Sequence, residues 1–320
     1  MNILITGIHG FVGNNLVKSL KDLYSVYGLD IIYPPLKGVK TTFSWKDLNT
    51  FQQPYTPDQL ETAKLIDVII HLAGKAHDTK NQTQSQEYFN INTGLTKKIF
   101  DFFVESNAKK FIFFSSVKAA ADFVVGDVLT EAVIPCPKGP YGESKIAAED
   151  YILSQKEKWE NRKQVYILRP CMIHGPGNKG NLNLLYNLVK KGLPWPLGDF
   201  ENRRSFTSID NLCYIIDGLI QKNVISGIYH IADDESLSTN ELIMCNVMGK
   251  KPHIWKVNKG FMTGCARLGS VIHLPLNLER LQKLTENYVV SNAKIKAALE
   301  IDRMPVHARE GLEKTIRSFQ

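Results

Sequence analysis

Gly7, Gly10 and Gly13 stand three residues apart, directly after the apolar run Asn2–Thr6 and at the head of an amphipathic stretch, Phe11–Leu23. A glycine turn between a buried strand and a helix lets the backbone approach a pyrophosphate, and the helix N-terminus then faces the phosphate charge. The spacing predicts a dinucleotide site at Gly7, Gly10, Phe11, Val12 and Gly13.

The rest of the first half agrees with that turn. Asn2–Thr6, Ser25–Leu29, Asp67–Leu72, Lys110–Ser115 and Gln164–Leu168 read as strands. Several are apolar throughout, as strands covered on both faces are. Helical periodicity separates them at Phe11–Leu23, Glu87–Ser106 and Ser144–Trp159. Strand and helix in alternation predict an α/β fold, a Rossmann-type doubly wound parallel sheet. After Arg169-Pro170 the pattern changes to turn formers from Gly175 to Gly180, a helix at Leu182–Lys191, and Pro194-Trp195-Pro196. Residues 1–170 are thus expected to form the nucleotide-binding domain. Residues 171–320 would form a smaller α+β substrate domain, with the chain returning to the first near 205–232.

Composition narrows the class further. The net charge of +7 comes with no block of like charge and no basic stripe, which argues against a nucleic-acid partner. Five cysteines without a C-x-x-C pair fit a reducing compartment rather than a disulfide framework or a zinc site. The N-terminus carries no basic leader and no apolar run is long enough to span a membrane. The expectation is a cytoplasmic enzyme with no stable membrane insertion and no metal.

Further positions suit the same ligand. Asp30 ends the second strand, where an acid accepts hydrogen bonds from the adenosine ribose and repels a 2′-phosphate. Ile31-Ile32 follows, with no arginine for that phosphate, so NAD is favoured over NADP. Asp47 and Leu48 follow a third predicted strand and are placed at the adenine. Leu72-Ala73-Gly74 closes another strand with small residues that let a cofactor pass.

Tyr141 and Lys145 lie four apart on one helix face. A neighbouring ammonium and a positively charged nicotinamide lower a phenol's pKa, making it a base for a sugar hydroxyl. Ser116, at the end of the Lys110–Ser115 strand, is placed to share the same substrate oxygen.

Taken together, these residues resemble the extended short-chain dehydrogenase/reductases, the NAD-dependent epimerase/dehydratase group acting on nucleotide sugars. The matches are Gly7–Gly13, His71-Leu72-Ala73-Gly74, Phe113-Phe114-Ser115-Ser116, Tyr141-Gly142-Glu143-Ser144-Lys145 and Arg169-Pro170 with Gly175-Pro176-Gly177. The resemblance implies Ser116, Tyr141 and Lys145 as the catalytic set, with Lys145 also holding the nicotinamide ribose. It places Asn90 near the active site. It implies substrate contacts from Asn181-Leu182 and from Arg203, seven residues before Asp210, with the adjacent Arg204 leaving that register open by one. Pro194–Gly198 is similar to the loop beside the uracil. A homodimer through the helices near Glu87–Ser106 and Ser144–Trp159 is also implied.

Two departures concern the sugar. Met172 stands where many relatives have asparagine, and Ala120-Ala121 where many have Tyr-Gly, which would widen the sugar pocket. A third concerns the reaction. Relatives that dehydrate place Asp-Glu after the catalytic hydroxyl residue, whereas this chain has Val117-Lys118. An aliphatic side chain and a cation cannot supply that acid and base, although Lys118 is a candidate sugar contact. The reading is a UDP-hexose 4-epimerase working through a 4-keto sugar. The alternative is an NAD(P)H-dependent reductase of UDP-4-keto-6-deoxy-N-acetylhexosamines. A non-catalytic dinucleotide sensor is the remote third, since such proteins commonly lose the tyrosine or lysine retained here.

Overall fold

A computed structural model of the protein describes residues 1–32, 34–46, 65–76, 84–178, 181–244, 253–272 and 277–319. Seven strands form one parallel sheet: β1 (Asn2–Thr6), β2 (Ser25–Asp30), β3 (Val39–Ser44), β4 (Val68–His71), β5 (Lys110–Phe114), β6 (Gln164–Pro170) and, late in the chain, β9 (Gly227–Ile231). Their spatial order is β3-β2-β1-β4-β5-β6-β9. The order reverses between β1 and β4, and that switch point is where ligands of doubly wound sheets sit.

Side-chain alternation explains the unbroken apolar runs. Ile3, Ile5, Ile112, Phe114, Tyr166 and Leu168 enter one core with helices α1 (Phe11–Leu20) and α8 (Ile209–Gln221). Leu4, Ile69, Phe111, Phe113, Val165 and Ile167 enter the other. Helices α3 (Leu95–Glu105) and α5 (Pro140–Ser154) cover that second face. A strand residue turns to the face opposite its neighbour's, so a strand buried on both sides has no polar position to spare.

The element before α3 departs from simple periodicity. A short α2 (Ser85–Tyr88) passes into a π-helical segment, Phe89–Gly94, and only then into α3. Each π turn adds a residue and rotates the following side chains around the helix. After β5 comes the short α4 (Val117–Ala120), and α6 (Lys156–Trp159) follows α5.

Beyond β6, β7 (Met172–His174) and β8 (Phe206–Ser208) make a small parallel pair. Helix α7 (Asn181–Lys190) lies between them in sequence. Strand β8 leads directly into α8, whose N-cap is Ser208. Asp233, just past β9, accepts from the Ser208 backbone N–H at 3.0 Å and from Asn211 Nδ2 at 2.7 Å, tying the small pair to the main sheet. The remaining helices are α9 (Thr239–Met244), α10 (Lys259–Val271), α11 (Leu278–Thr285), α12 (Ala293–Leu299) and α13 (Ala308–Arg317). Among the described residues no helix is long and apolar enough to cross a membrane. Among the same residues, no group of His, Cys, Asp and Glu is arranged to hold a metal ion.

Candidate active site

The glycine turn is shaped for close approach. Gly7 has φ +67°, and a Cβ there would lie 2.9 Å from the Ala73 backbone nitrogen. A Cβ on Gly13 would lie 2.5 Å from the Ile8 carbonyl oxygen and 2.6 Å from that of Gly7. Gly10 caps α1 without a side chain, so no side-chain acceptor covers the first-turn N–H groups of Phe11 and Val12. This is the donor set an anionic pyrophosphate needs. Gly13→Ala must therefore push α1 off the turn. We expect a loss of about 1–3 kcal/mol, with weaker dinucleotide binding, measured as a lower melting temperature and a smaller cofactor-induced rise.

Asp30 lies at the end of β2 and is buried. Its Oδ2 accepts from the His9 backbone N–H at 2.9 Å, and its Oδ1 from the Ile31 N–H at 2.7 Å. The His9 ring also approaches, with Nδ1 3.2 Å from Oδ2 and Nε2 3.1 Å from the Pro34 carbonyl. The carboxylate is thus fixed at the mouth of the turn, with lone pairs left for ribose hydroxyls. Asp47 and Leu48 lie outside the described residues.

Across the switch point, Leu72-Ala73-Gly74 leaves β4 beside the turn. Thr6 Oγ1 accepts the Ala73 N–H at 3.1 Å and pairs with His71 Nδ1 at 2.6 Å. His71 Nε2 meets Thr96 Oγ1 at 3.0 Å, so this histidine is bonded at both nitrogens in the core. A Cβ on Gly74 would lie 2.9 Å from Asn92 Oδ1 and 3.1 Å from Lys145 Nζ. Only a bare backbone fits over those two groups.

That contact identifies the buried asparagine. Asn90 is exposed and accepts from Gln86 Nε2. Asn92 is fully buried, accepts the Lys75 N–H at 2.7 Å and donates to Ser144 Oγ at 2.9 Å. The structure therefore brings Asn92, not Asn90, to Gly74 and Lys145. The extra residues of the π segment set this phase.

The reacting groups gather at the C-terminal ends of β5 and β6. Ser116 caps α4, accepting the Lys118 N–H at 3.2 Å. The Ser116 hydroxyl is close enough to the Tyr141 phenol to favour its ionised form. Burial pushes the Tyr141 phenol above its ordinary range, the Ser116 hydroxyl pulls it back, and nearby Tyr88 adds to the rise. The two tyrosine rings meet edge-on with centroids 6.4 Å apart. The depression expected from the neighbouring lysine does not appear, and desolvation sets the direction.

Lys145 is buried one turn beyond Tyr141, and its Nζ donates to the Phe114 carbonyl at 2.8 Å. Burial lowers its pKa from 10.5 to about 8, opposed by the charge of Glu149. Glu149, fully buried one further turn along, is a residue that motif reading missed. It accepts from Arg169 Nε at 3.0 Å, from Arg169 Nη2 at 2.6 Å, and from the Ser115 hydroxyl. Its signal in the sequence was an acid four residues after the lysine, on the same helix face.

On the substrate side the structure separates the expected contacts. Lys118 Nζ donates to the Asp122 carbonyl at 2.7 Å, pairs with its carboxylate at 3.2 Å, and lies 4.6 Å over the Tyr288 ring. Val117, Ala120 and Ala121 pack with Tyr288 in one buried cluster, so the room expected from the two alanines is shared with an aromatic ring. The Leu182 side chain is core, beside Tyr186 and Phe206. Asn181 opens α7, which is all the structure describes of it. Arg203 is exposed and is held through its backbone N–H to Asn287 Oδ1 at 2.8 Å. Arg204 is half-buried; burial raises the Cys171 thiol and the Tyr288 phenol, and the Arg204 charge offsets part of that rise at both. Its Nη1 donates to the Lys283 carbonyl at 2.6 Å, so of the two arginines Arg204 is the one held against the Tyr288 side. Within Pro194–Gly198, Trp195 and Leu197 are core residues on a backbone ladder with His253–Lys256.

A dinucleotide turn joined at a switch point to a Ser-Tyr-Lys set defines a hydride-transfer enzyme. Residues 3–232 match the model of the NAD dependent epimerase/dehydratase family, and the chain belongs to that family. It is 32% identical over 249 residues to a UDP-glucose 4-epimerase of Vibrio cholerae, covering 76% of this chain and 74% of that one. It is 24% identical to the N-acetyl-alpha-D-glucosaminyl-diphospho-ditrans,octacis-undecaprenol 4-epimerase of Escherichia coli O157:H7, over 99% of this chain and 94% of that one. Among solved structures, UDP-glucuronic acid 4-epimerase from Bacillus cereus in complex with NAD superposes with a TM-score of 0.73. That match has 20% identity and covers 99% and 98% of the two chains.

Proposed function

We propose that the protein is an NAD-dependent 4-epimerase of a UDP-hexose of the glucose or N-acetylglucosamine type. The observation that carries this reading is the gathering of Ser116, Tyr141 and buried Lys145 at the end of β5, with Lys145 one helical turn from Tyr141 and bonded to the Phe114 carbonyl. NAD supplies a reversible hydride acceptor when bound. In this reading Tyr141 takes the C4 hydroxyl proton as the hydride leaves and returns it to the 4-keto sugar. Ser116 holds the same oxygen and relays the proton. Lys145 fixes the nicotinamide ribose, and its positive charge counters the burial that keeps Tyr141 protonated. Phe11, Val12 and the glycines hold the pyrophosphate, Asp30 the adenosine ribose, and Asn92 with Gly74 the floor beneath the nicotinamide. Arg204 supplies positive charge toward the sugar diphosphate.

The residues after Ser116 support epimerisation over dehydration. Val117 is buried and Lys118 is held by Asp122, so neither position supplies an acid or a base for eliminating water. The named activities of the Vibrio and Escherichia relatives are both 4-epimerisations of a sugar diphosphate.

The test is a panel of UDP-glucose, UDP-N-acetylglucosamine, UDP-4-keto-6-deoxy sugars and diphosphate-linked N-acetylglucosaminyl lipid, with and without added NADH. A 4-epimerase interconverts one hexose pair with no net change in NADH. Stoichiometric NADH consumption on a 4-keto-6-deoxy sugar would establish the reductase instead, and no turnover of any kind the sensor. We also propose a homodimer through α3 and α5, for which light scattering should give about twice the chain mass of 36.1 kDa. A mass of one chain would refute it.

A further inference from the structure

Helix α10 has two apolar faces. Met262 and Ala266 enter a small core with Trp195, Leu197 and Leu281. Beside that face, Phe261, Cys265, Leu268 and Ile272 recur at the i, i+4, i+7, i+11 spacing of a single stripe. Phe261 is 65% exposed, Leu268 59% and Ile272 54%, and Cys265 is exposed as well. The stripe runs about 16 Å along the axis. Trp255, four residues before the helix, is also exposed. Isolated surface apolar residues need no explanation, but a continuous stripe on a helix that already buries its other apolar face does.

Charge is concentrated around this helix. Residues 250–283 hold seven lysines and arginines against the single acid Glu279, so this segment carries six of the chain's seven net positive charges. Lys256, Lys259 and Arg267 are exposed. Lys259 Nζ lies 5.8 Å from the Phe200 ring centre, at the N-terminal end of α10.

We propose that α10 and the turn before it form a docking surface for an anionic lipid bilayer. The stripe would lie in the interface with its basic neighbours against the headgroups. An amphipathic helix with an apolar stripe, basic flanks and an exposed tryptophan has the chemistry of an interfacial helix. The same charge disfavours a second copy of this chain. A twofold contact sets each patch against itself, so the basic flanks would repel across it.

The test is co-sedimentation of the full chain with vesicles of phosphatidylglycerol and phosphatidylcholine, against vesicles of phosphatidylcholine alone. The expected result is binding to the anionic vesicles that weakens with salt. The double variant Phe261→Ser/Leu268→Ser and the charge variant Lys259→Glu/Arg267→Glu should each lower partitioning by about tenfold or more. Both alter exposed side chains, so unchanged melting temperatures would show that the losses come from the surface. Absence of binding to anionic vesicles, or equal binding to both compositions, would overturn the proposal. So would a fall in solution mass for Phe261→Ser/Leu268→Ser with vesicle binding intact, which would assign the stripe to a second copy.

Discussion

Tyr141→Phe is expected to lower turnover by about 10²–10⁴-fold while leaving dinucleotide affinity near its original value. The substitution removes one oxygen from a ring that stays packed against Tyr88, and it leaves the glycine turn, Asp30 and Lys145 in place. Ser116 keeps its cap on the Lys118 N–H, so α4 should hold. The measurements are steady-state turnover on the sugar that the panel identifies, and NAD titration by fluorescence. Loss of turnover with cofactor retained fits a proton-transfer role. Full turnover would show that another group moves the proton.

Glu149→Gln is expected to cost about 3–5 kcal/mol, read as a fall in melting temperature on the order of 10 °C. The carboxylate is fully buried and is the counter-charge of a fully buried guanidinium, so its neutralisation leaves Arg169 uncompensated. The paired replacement of Glu149 and Arg169 by leucine should recover much of that loss, because burying two charges is itself costly. A second readout separates position from packing. Lys145 titrates near 8 in the folded chain against an ordinary 10.5, with Glu149 holding it up against burial. The burial cost is therefore full below pH 8, where both folded and unfolded lysine are protonated, and fades between 8 and 10.5. Activity that depends on the ammonium should fall above about pH 8. In Glu149→Gln, and in the paired leucine variant, that limb should move to lower pH. An unmoved limb with lowered stability would reduce Glu149 to a packing role.

Much of the cofactor half was legible from sequence because it rests on short-range rules. A strand buried on both faces must be apolar throughout, and a turn that admits a pyrophosphate must lack Cβ atoms. Gly7, Gly13 and the runs at Asn2–Thr6 and Lys110–Phe114 express those rules directly. The resemblance pointed to Asn90, whereas the asparagine that meets Gly74 and Ser144 is Asn92, two positions on within the π segment Phe89–Gly94. Nothing in the local composition announces it. The choice between Arg203 and Arg204 could not be made from spacing alone, since burial there depends on the distant Tyr288 and Leu237. Glu149 was overlooked for a related reason. Its partner Arg169 lies on another element, and only folding shows that both are dry.

The tether on α4 has an evolutionary consequence. Val117 belongs to a buried cluster, Lys118 is bound to Asp122 and covered by the Tyr288 ring, and Tyr288 donates back to the Ala121 carbonyl at 2.7 Å. Installing an acid and a base after Ser116 would put a carboxylate into an apolar cluster and cut the lysine loose from its partners. Each change alone is unfavourable, and a segment about 170 residues downstream would have to change with them. Descent from this chain to a water-eliminating enzyme thus runs through coordinated replacements, not single steps.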